Sequence, residues 1–269
     1  MKKIVNYTIG ADPEMFLIDT STNQVICAKG IIPGEKGKPF TDGLPKGFGL
    51  EIDGILAEFN IPPCTSTSEY VDCIHFMKSW IRDFVKNINP NYDLMCKASA
   101  VVTPECVSDP DVNIRGCDPD KDAYTGKENE RHKSYPGMVR SAGNHVHFGY
   151  KYMGSKADLK FIKMCDLTLG LPSVFIDDDT ARRELYGKAG CYRPQKWGIE
   201  YRTLSSRMLE DDGLAMIAKG IERAVEYFNN DVPLPDSGLI QRCINTSNKV
   251  LAKHLVKLYK EELCVELLG

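Results

Sequence analysis

Four short segments, far apart in the chain, set chemically active residues at alternate positions with apolar residues between them: Asp12 and Glu14, Glu58 and Asn60, His145 and His147, Glu200 and Arg202. Side chains of a β-strand alternate between its two faces, so each such pair shares a face and its neighbours take the other. Gly143-Asn144-His145-Val146-His147-Phe148-Gly149 is the clearest case, with glycine at both ends and Val146 and Phe148 opposite the imidazoles. If the four strands share one sheet, an apolar face receives helices. The opposite face gathers the carboxylates of Asp12, Glu14, Glu58 and Glu200, two imidazoles and the Arg202 guanidinium. Carboxylates held about 4 Å apart repel by roughly 4 kcal/mol per pair at an effective dielectric near 20. Such a face needs cations.

Oxygen donors with few nitrogens and no thiolate suit Mg²⁺ or Mn²⁺ better than Zn²⁺. Arg202 cannot ligate a metal, but a guanidinium clamps a phosphoryl group with two hydrogen bonds. Divalent cations beside an arginine on one polar face imply phosphoryl transfer, in which catalysis is mostly positioning and neutralisation of charge. Three other readings stay open here. His145, His147 and one Glu could form the facial triad of a divalent-metal hydrolase or oxygenase. The pairs could be salt bridges across a solvated sheet face. The chain could also be a catalytically inactive binding module.

The remaining pattern indicates α+β architecture, with strands early, helices late, an antiparallel sheet, and helices packed on one side of it. Asn6–Ile18 reads as a first strand with Pro13 marking an edge or bulge, and Leu50–Asn60 as another that Pro62-Pro63 ends. Ser66-Thr67-Ser68-Glu69 fits a capping box, followed by Val71, Ile74, Met77, Ile81, Phe84 and Ile88 at helical spacing. Lys97–Val102 is a short apolar strand. Ser155-Lys156-Ala157-Asp158 resembles a second capping box before a helix that Pro172 breaks or kinks. Residues 187–194 read as a glycine-bearing basic loop. Beyond it, Leu214, Ile217, Ile221, Val225 and Phe228 form one helical stripe and Val250–Leu263 another. Residues 104–142 show little periodicity and are expected to be a substrate cap or lid, with a disordered insertion as the competing explanation. Pro33-Gly34-Glu35-Lys36-Gly37-Lys38-Pro39 lacks the spacing and the final Ser/Thr of a Walker A loop and reads as an exposed loop, with contact to phosphates as the lesser alternative.

With 269 residues and 42% hydrophobic composition, the chain can bury a sizeable core. A net charge of −3 gives no reason to expect nucleic acid or an anionic membrane as partner. Between Arg182 and Arg207, however, seven Lys/Arg stand against two Glu, which suggests a polyphosphate ligand or else a solvated basic face. The ten cysteines form no C-x-x-C pair and are expected to be free thiols of a reducing cytoplasm, mostly apolar fillers. The start of the chain turns polar too soon for a signal peptide, and no apolar run is long enough to cross a bilayer.

Asp12-Pro13-Glu14, Glu58-Phe59-Asn60-Ile61-Pro62-Pro63, Gly143–Gly149 and Gly198-Ile199-Glu200-Tyr201-Arg202 occur in the order typical of glutamine-synthetase-like carboxylate–amine ligases. The chain most resembles the phage-type group, COOH–NH2 ligase type 2 or amidoligase. Gly116-Cys117-Asp118-Pro119-Asp120, Tyr124 and Gly187–Pro194 also resemble that group. The resemblance implies a curved, mostly antiparallel sheet with a polar concave catalytic face and helices on the other face, as in the glutamine-synthetase-like catalytic domain. It implies a single domain over 1–269, with 207–269 as a C-terminal helical part. It implies ATP and Mg²⁺ (or Mn²⁺), with Asp12, Glu14, Glu58, His145 and Glu200 as metal ligands. Asp12 stands where the family has Glu, a shorter side chain that can shift or weaken that metal. His147 would lie nearer the nucleotide phosphates, Arg202 on the transferred phosphoryl group, and Lys188 and Arg193 on phosphates. Arg202, Glu58 and His145 would carry the catalysis. Glu51 and Asp53 are not expected among the ligands. The substrates would be a small-molecule or peptide carboxylate and an amine, and a homo-oligomer stays open. The place of action would be the cytoplasm, that of the host if the chain is phage-encoded.

Overall fold

The computed structural model describes residues 3–113, 120–129, 137–263 and 266–267. Its strands, in chain order, are β1 (Thr8–Ala11), β2 (Glu14–Asp19), β3 (Gln24–Ile26), β4 (Gly49–Asp53), β5 (Leu56–Asn60), β6 (Tyr92–Met95), β7 (Ser99–Val101), β8 (Lys121–Asp122), β9 (Val139–Ser141), β10 (Val146–Gly149), β11 (Cys191–Gln195) and β12 (Gly198–Tyr201). The helices are α1 (Thr67–Ile88), α2 (Ser155–Cys165), α3 (Leu171–Ser173), α4 (Ala181–Leu185), α5 (Asp211–Asn229), α6 (Ser237–Asn245) and α7 (Lys249–Leu263). Every pairing among the named strands is antiparallel.

The four polar pairs do not share one sheet, contrary to the sequence expectation. One sheet runs β1-β10-β12-β11-β8, and a second runs β3-β2-β5-β4 with β6 also on β2. The stretch read as one strand over Asn6–Ile18 is two, broken at Asp12-Pro13, and each half belongs to a different sheet. Proline has no N–H to give a ladder, so the break falls where the sheets part. The Pro13 carbonyl accepts from Phe59 N at 3.1 Å, and Glu14 N donates to the Gly143 carbonyl at 2.9 Å, so both sheets stay joined across the kink. Leu50–Asn60 likewise is not one strand but a hairpin turning at Gly54, whose φ of +59° suits glycine.

Alternation decides which side chains meet the helices. Val146, Phe148, Ile199 and Tyr201 point away from the polar residues and are buried. Phe148 meets Phe161 of α2 edge-on with ring centres 4.9 Å apart, and Phe161 meets Phe228 of α5 at 5.4 Å. Each fully buried ring contributes about 1.5–3 kcal/mol. Helix α1 packs on β6 and α5, with Ser66 capping it by accepting from Glu69 N at 3.1 Å. Glu69 returns to Thr65 N rather than Ser66 N, one residue off the reciprocal box. Ser155 is not a cap: Gly154 holds that position and offers no side chain. The break read at Pro172 is instead a π-helical turn over Asp166–Gly170 that links α2 to α3.

The described residues of segment 104–142 carry more structure than its composition suggested. The segment contains 3-10 turns at Glu105–Val107 and Pro110–Asn113, β8 at the edge of the first sheet, and β9 paired with β7. Of its Gly116–Asp120 motif, only Asp120 lies within the described residues. Tyr124 is anchored beneath the sheet: its hydroxyl donates to Asp166 Oδ2 at 2.8 Å, and Tyr201 donates to Asp166 Oδ1 at 2.7 Å. Residues 187–194, read as a loop, are half strand. The eight described cysteines are free, six of them buried. Among the described residues no helix is long and apolar enough to cross a membrane.

Burial raises the Asp166 carboxyl to about 7, only partly offset by the two tyrosine hydroxyls. The folded chain therefore keeps a proton that the unfolded chain releases near the ordinary Asp value of 3.8. That contribution to stability is full below about pH 4 and is lost as pH rises through about 7. Asp166→Asn, which holds no such proton, is expected to gain on the wild type between pH 5 and pH 8 in urea unfolding. An unchanged difference across that window would contradict the assignment.

Candidate active site

The kink at Asp12-Pro13 brings both sheets' polar residues together. Asp12 Oδ1 lies 2.9 Å from His145 Nδ1 and 3.1 Å from His147 Nε2. In the ladder His147 stands opposite Glu200, and Glu200 stands opposite Arg193. Glu200, only 1% exposed, has Oε1 3.5 Å from His145 Nδ1 and pairs closely with Arg202. Its Oε2 accepts from Gln195 at 3.2 Å and Arg193 at 3.4 Å. Arg202 also donates to the Tyr186 hydroxyl. Asp12, Glu200 and His147, the imidazole expected on phosphates rather than on a metal, offer ligand atoms all within 4.8 Å of one another, while the expected ligand His145 reaches Asp12 and Glu200 through Nδ1.

A second cluster lies across the kink. Glu14 and Glu58 are cross-strand partners, and with Asp53 they bring three carboxylates within 4.8 Å. Asp53 was not expected as a ligand. The β4–β5 hairpin reverses at Gly54 and returns Asp53 to Glu58's side, a consequence of the turn that straight-strand alternation misses. Gly143 N donates to Glu14 Oε2 at 2.6 Å, linking this cluster to the residues before His145.

The electrostatics fit cations. Burial, with Asp53 adding, lifts Glu14 to about 7. Burial and its acidic neighbours Asp12, Asp53 and Glu14 push Glu58 well above the carboxylate range. A divalent ion would relieve both. Burial and the nearby Arg202 lower His145 to about 3, so its imidazole is neutral, the form that ligates. Burial opposes the charge on Asp12, but the two imidazoles outweigh it and hold the carboxyl well below its usual value. Carboxylate oxygens with a neutral imidazole form a donor set that suits Mg²⁺ or Mn²⁺.

The basic run did not form one anion patch. Of its seven cations, Arg182, Arg183 and Arg202 are each 1% exposed. Arg182 donates to the carbonyls of Ala142 (3.2 Å), Thr203 (2.9 Å) and Leu204 (2.8 Å). Arg183 reaches the carbonyls of Gly187 and Thr203. Arg182 thus fastens the segment before His145 to the segment after Arg202, and Arg183 fastens Gly187 to that same segment, roles that charge counting could not reveal. Arg207 pairs with Asp212. Lys188 is exposed, and it touches this region through its carbonyl, which accepts from Thr203 Oγ1 at 3.0 Å.

Gly143 leaves no room for a side chain. A Cβ there would stand 2.7 Å from His145 Nε2 and 3.3 Å from Arg182 Nη2. Gly143→Ala is expected to displace the imidazole and weaken Mn²⁺ binding about tenfold to a hundredfold, the range of losses when a ligand's positioning is disturbed. Isothermal titration with Mn²⁺ checks this, and wild-type affinity would contradict it.

Residues 132–226 match the family model described as phage phiEco32-like COOH.NH2 ligase-type 2. The match covers His145, His147, Lys188, Arg193, Glu200 and Arg202, and it leaves Asp12, Glu14 and Glu58 outside. It supports an enzyme of the acid–amine ligase type. A solved structure titled a bifunctional glutathione synthetase, from Pasteurella multocida, aligns with 95% of this chain and 49% of its own at 9% identity and a TM-score of 0.39. The chain thus spans about half the length of that protein. No curated protein sequence matches the chain.

Proposed function

We propose that this chain is an ATP-dependent carboxylate–amine ligase with a glutamine-synthetase-like catalytic fold, forming an amide or peptide-like bond through an acyl phosphate. The observation that carries the reading is the convergence of Asp12, His145, His147 and Glu200 beside Glu14 and Glu58, from four strands of two sheets and the kink that joins them. In this reading Asp12, His145 and Glu200 hold one Mg²⁺ or Mn²⁺, and Glu14 and Glu58, with Asp53, hold another. Bound there, such ions neutralise the triphosphate and hold it in line. His147, Lys188 and Arg193 contact the nucleotide phosphates, and Arg202 balances charge on the transferred phosphoryl oxygens. A substrate carboxylate oxygen attacks the γ-phosphorus and ADP leaves. An amine nitrogen then attacks the acyl carbon, phosphate leaves, and the amine proton passes to solvent.

Residues 1–269 act as one ligase unit, with 104–142 shielding the acyl phosphate from water and 207–269 as its helical part. The partners are a small-molecule or peptide carboxylate and an amine, with no nucleic acid or membrane. A homo-oligomer is compatible with this reading, and the setting is the cytoplasm. Hydroxylamine as surrogate amine tests the chemistry. With ATP, Mg²⁺ and pools of amino acids and dicarboxylates, the full chain is expected to release ADP and hydroxamate in equal amounts. Carboxylate-independent or absent ADP release by folded, Mg²⁺-loaded protein would overturn the proposal.

One observation favours a second reading: both imidazoles turn to a single oxygen of Asp12, as in a one-metal hydrolase or oxygenase site. That reading predicts one tightly held transition metal and no nucleotide binding. The second carboxylate cluster and the Arg193–Glu200–Arg202 row weigh toward the ligase.

A further inference from the structure

The loop over residues 33–39 is tied down along the second carboxylate cluster. Phe40 exchanges backbone hydrogen bonds with Leu50 at 2.7 and 3.0 Å. Gly37 N donates to Glu51 Oε2 at 3.0 Å, and Glu35 and Lys38 close a turn through their backbones. Gly34, at φ +90°, lies so close to the Leu50 carbonyl that a Cβ would collide with it. These tethers deliver one side chain: Lys36 Nζ sits against Asp53 Oδ2 and 3.4 Å from Glu58 Oε2. The lysine side chain is 37% exposed, while Asp53 and Glu58 are 12% and 13% exposed. The ammonium therefore closes the cluster from the solvent side.

Three carboxylates this close repel strongly, and a single ammonium offsets only part of that charge. A divalent ion offsets more, but it needs the same oxygens that Lys36 contacts. We propose that Lys36 is a tethered counter-cation of the Glu14–Asp53–Glu58 cluster, which a divalent ion must displace to load there. This rests on the ligase reading only in taking the cluster as a metal site. Among the described residues, the other site, at Asp12, His145 and Glu200, carries its cations on Glu200 alone, the guanidiniums of Arg202 and Arg193, while Asp12 meets only the two imidazoles, so the two sites load unequally. Neither the basic run nor any phosphate-loop spacing pointed to Lys36. The turn that places it depends on the loop's backbone pairing with β4.

The test is Mn²⁺ binding by the full-length wild type, Lys36→Met, Lys36→Gln and Lys38→Met, followed by the electron paramagnetic resonance signal of free Mn²⁺. Lys38 lies on the same loop, 81% exposed, and controls for net charge. The wild type is expected to show a tighter and a weaker class of site. Both Lys36 variants tighten the weaker class at least tenfold and leave the tighter one unchanged, while Lys38→Met stays within twofold of the wild type. A Lys36 variant with the wild-type isotherm, or a Lys38→Met gain equal to that of Lys36→Met, overturns the proposal. The readout needs no ATP turnover, so an absent ligase activity would fall on the functional reading and leave these isotherms standing.

Discussion

Glu200→Gln is expected to lower ATP-dependent product formation by about a hundredfold to a thousandfold while leaving the fold intact. The substitution preserves shape and removes only charge, and Glu200 is where the first sheet's cationic and imidazole groups meet. Its two oxygens face His145, Arg193, Gln195 and Arg202 in a site almost closed to solvent. Removing one preorganised contact to developing charge costs about 10²–10³ in rate. Here the loss is compounded, since a proposed metal ligand disappears and Arg202 loses the carboxylate that aims it. Part of the cost of stranding a buried guanidinium falls on stability instead. Steady-state kinetics and Mn²⁺ titration on the same preparation separate the two. Wild-type turnover in a variant whose Mn²⁺ affinity is also unchanged would remove Glu200 from the site.

Arg182→Met is expected to destabilise the chain by about 3 kcal/mol. Hydrogen bonds from a charged donor contribute about 1.5–3 kcal/mol each, and Arg182 makes three to carbonyls. Two effects reduce that sum. Each carbonyl keeps another partner: Ser206 N for Ala142, Arg183 for Thr203 and Asn144 N for Leu204. Removing the guanidinium also returns its burial cost, which together with repulsion from Arg183 lowers its own pKa to about 10. For a chain of this size about 2–4 °C is lost per kcal/mol, so thermal unfolding should fall by about 10 °C. Arg182→Lys should not rescue it, because a single ammonium cannot span three carbonyls in the guanidinium's plane. An unchanged midpoint would show that the two segments are held together by other contacts.

What sequence patterning could reveal here follows from what period two encodes. Phe148 meets Phe161 and Tyr201 meets Asp166 on one side, while His145 and His147 meet Asp12 and Arg202 meets Glu200 on the other, just as alternation requires. Pro13 was legible as an interruption because it lacks a donor. That it divides two sheets was not, because this depends on partners tens of residues away. Asp53 was named and set aside as a ligand because a tight turn, not a strand period, sets it beside Glu58. Arg182 and Arg183 were read as surface or ligand charge because buried guanidinium bonds to carbonyls leave no periodic trace. Lys36 was hidden for a related reason: its aim is set by the Phe40–Leu50 pairing rather than by a motif.

The most direct test of the acyl-phosphate account is transfer of oxygen from the acid to phosphate. The full chain would be incubated with ATP, Mg²⁺, hydroxylamine and a pool of amino acids and dicarboxylates carrying ¹⁸O in their carboxyl groups. Mass spectrometry of the released phosphate is expected to show one ¹⁸O per turnover, because the carboxylate oxygen that attacks the γ-phosphorus departs with it. ADP released with unlabelled phosphate would mean that water, not a carboxylate, attacks the nucleotide, and would contradict the account.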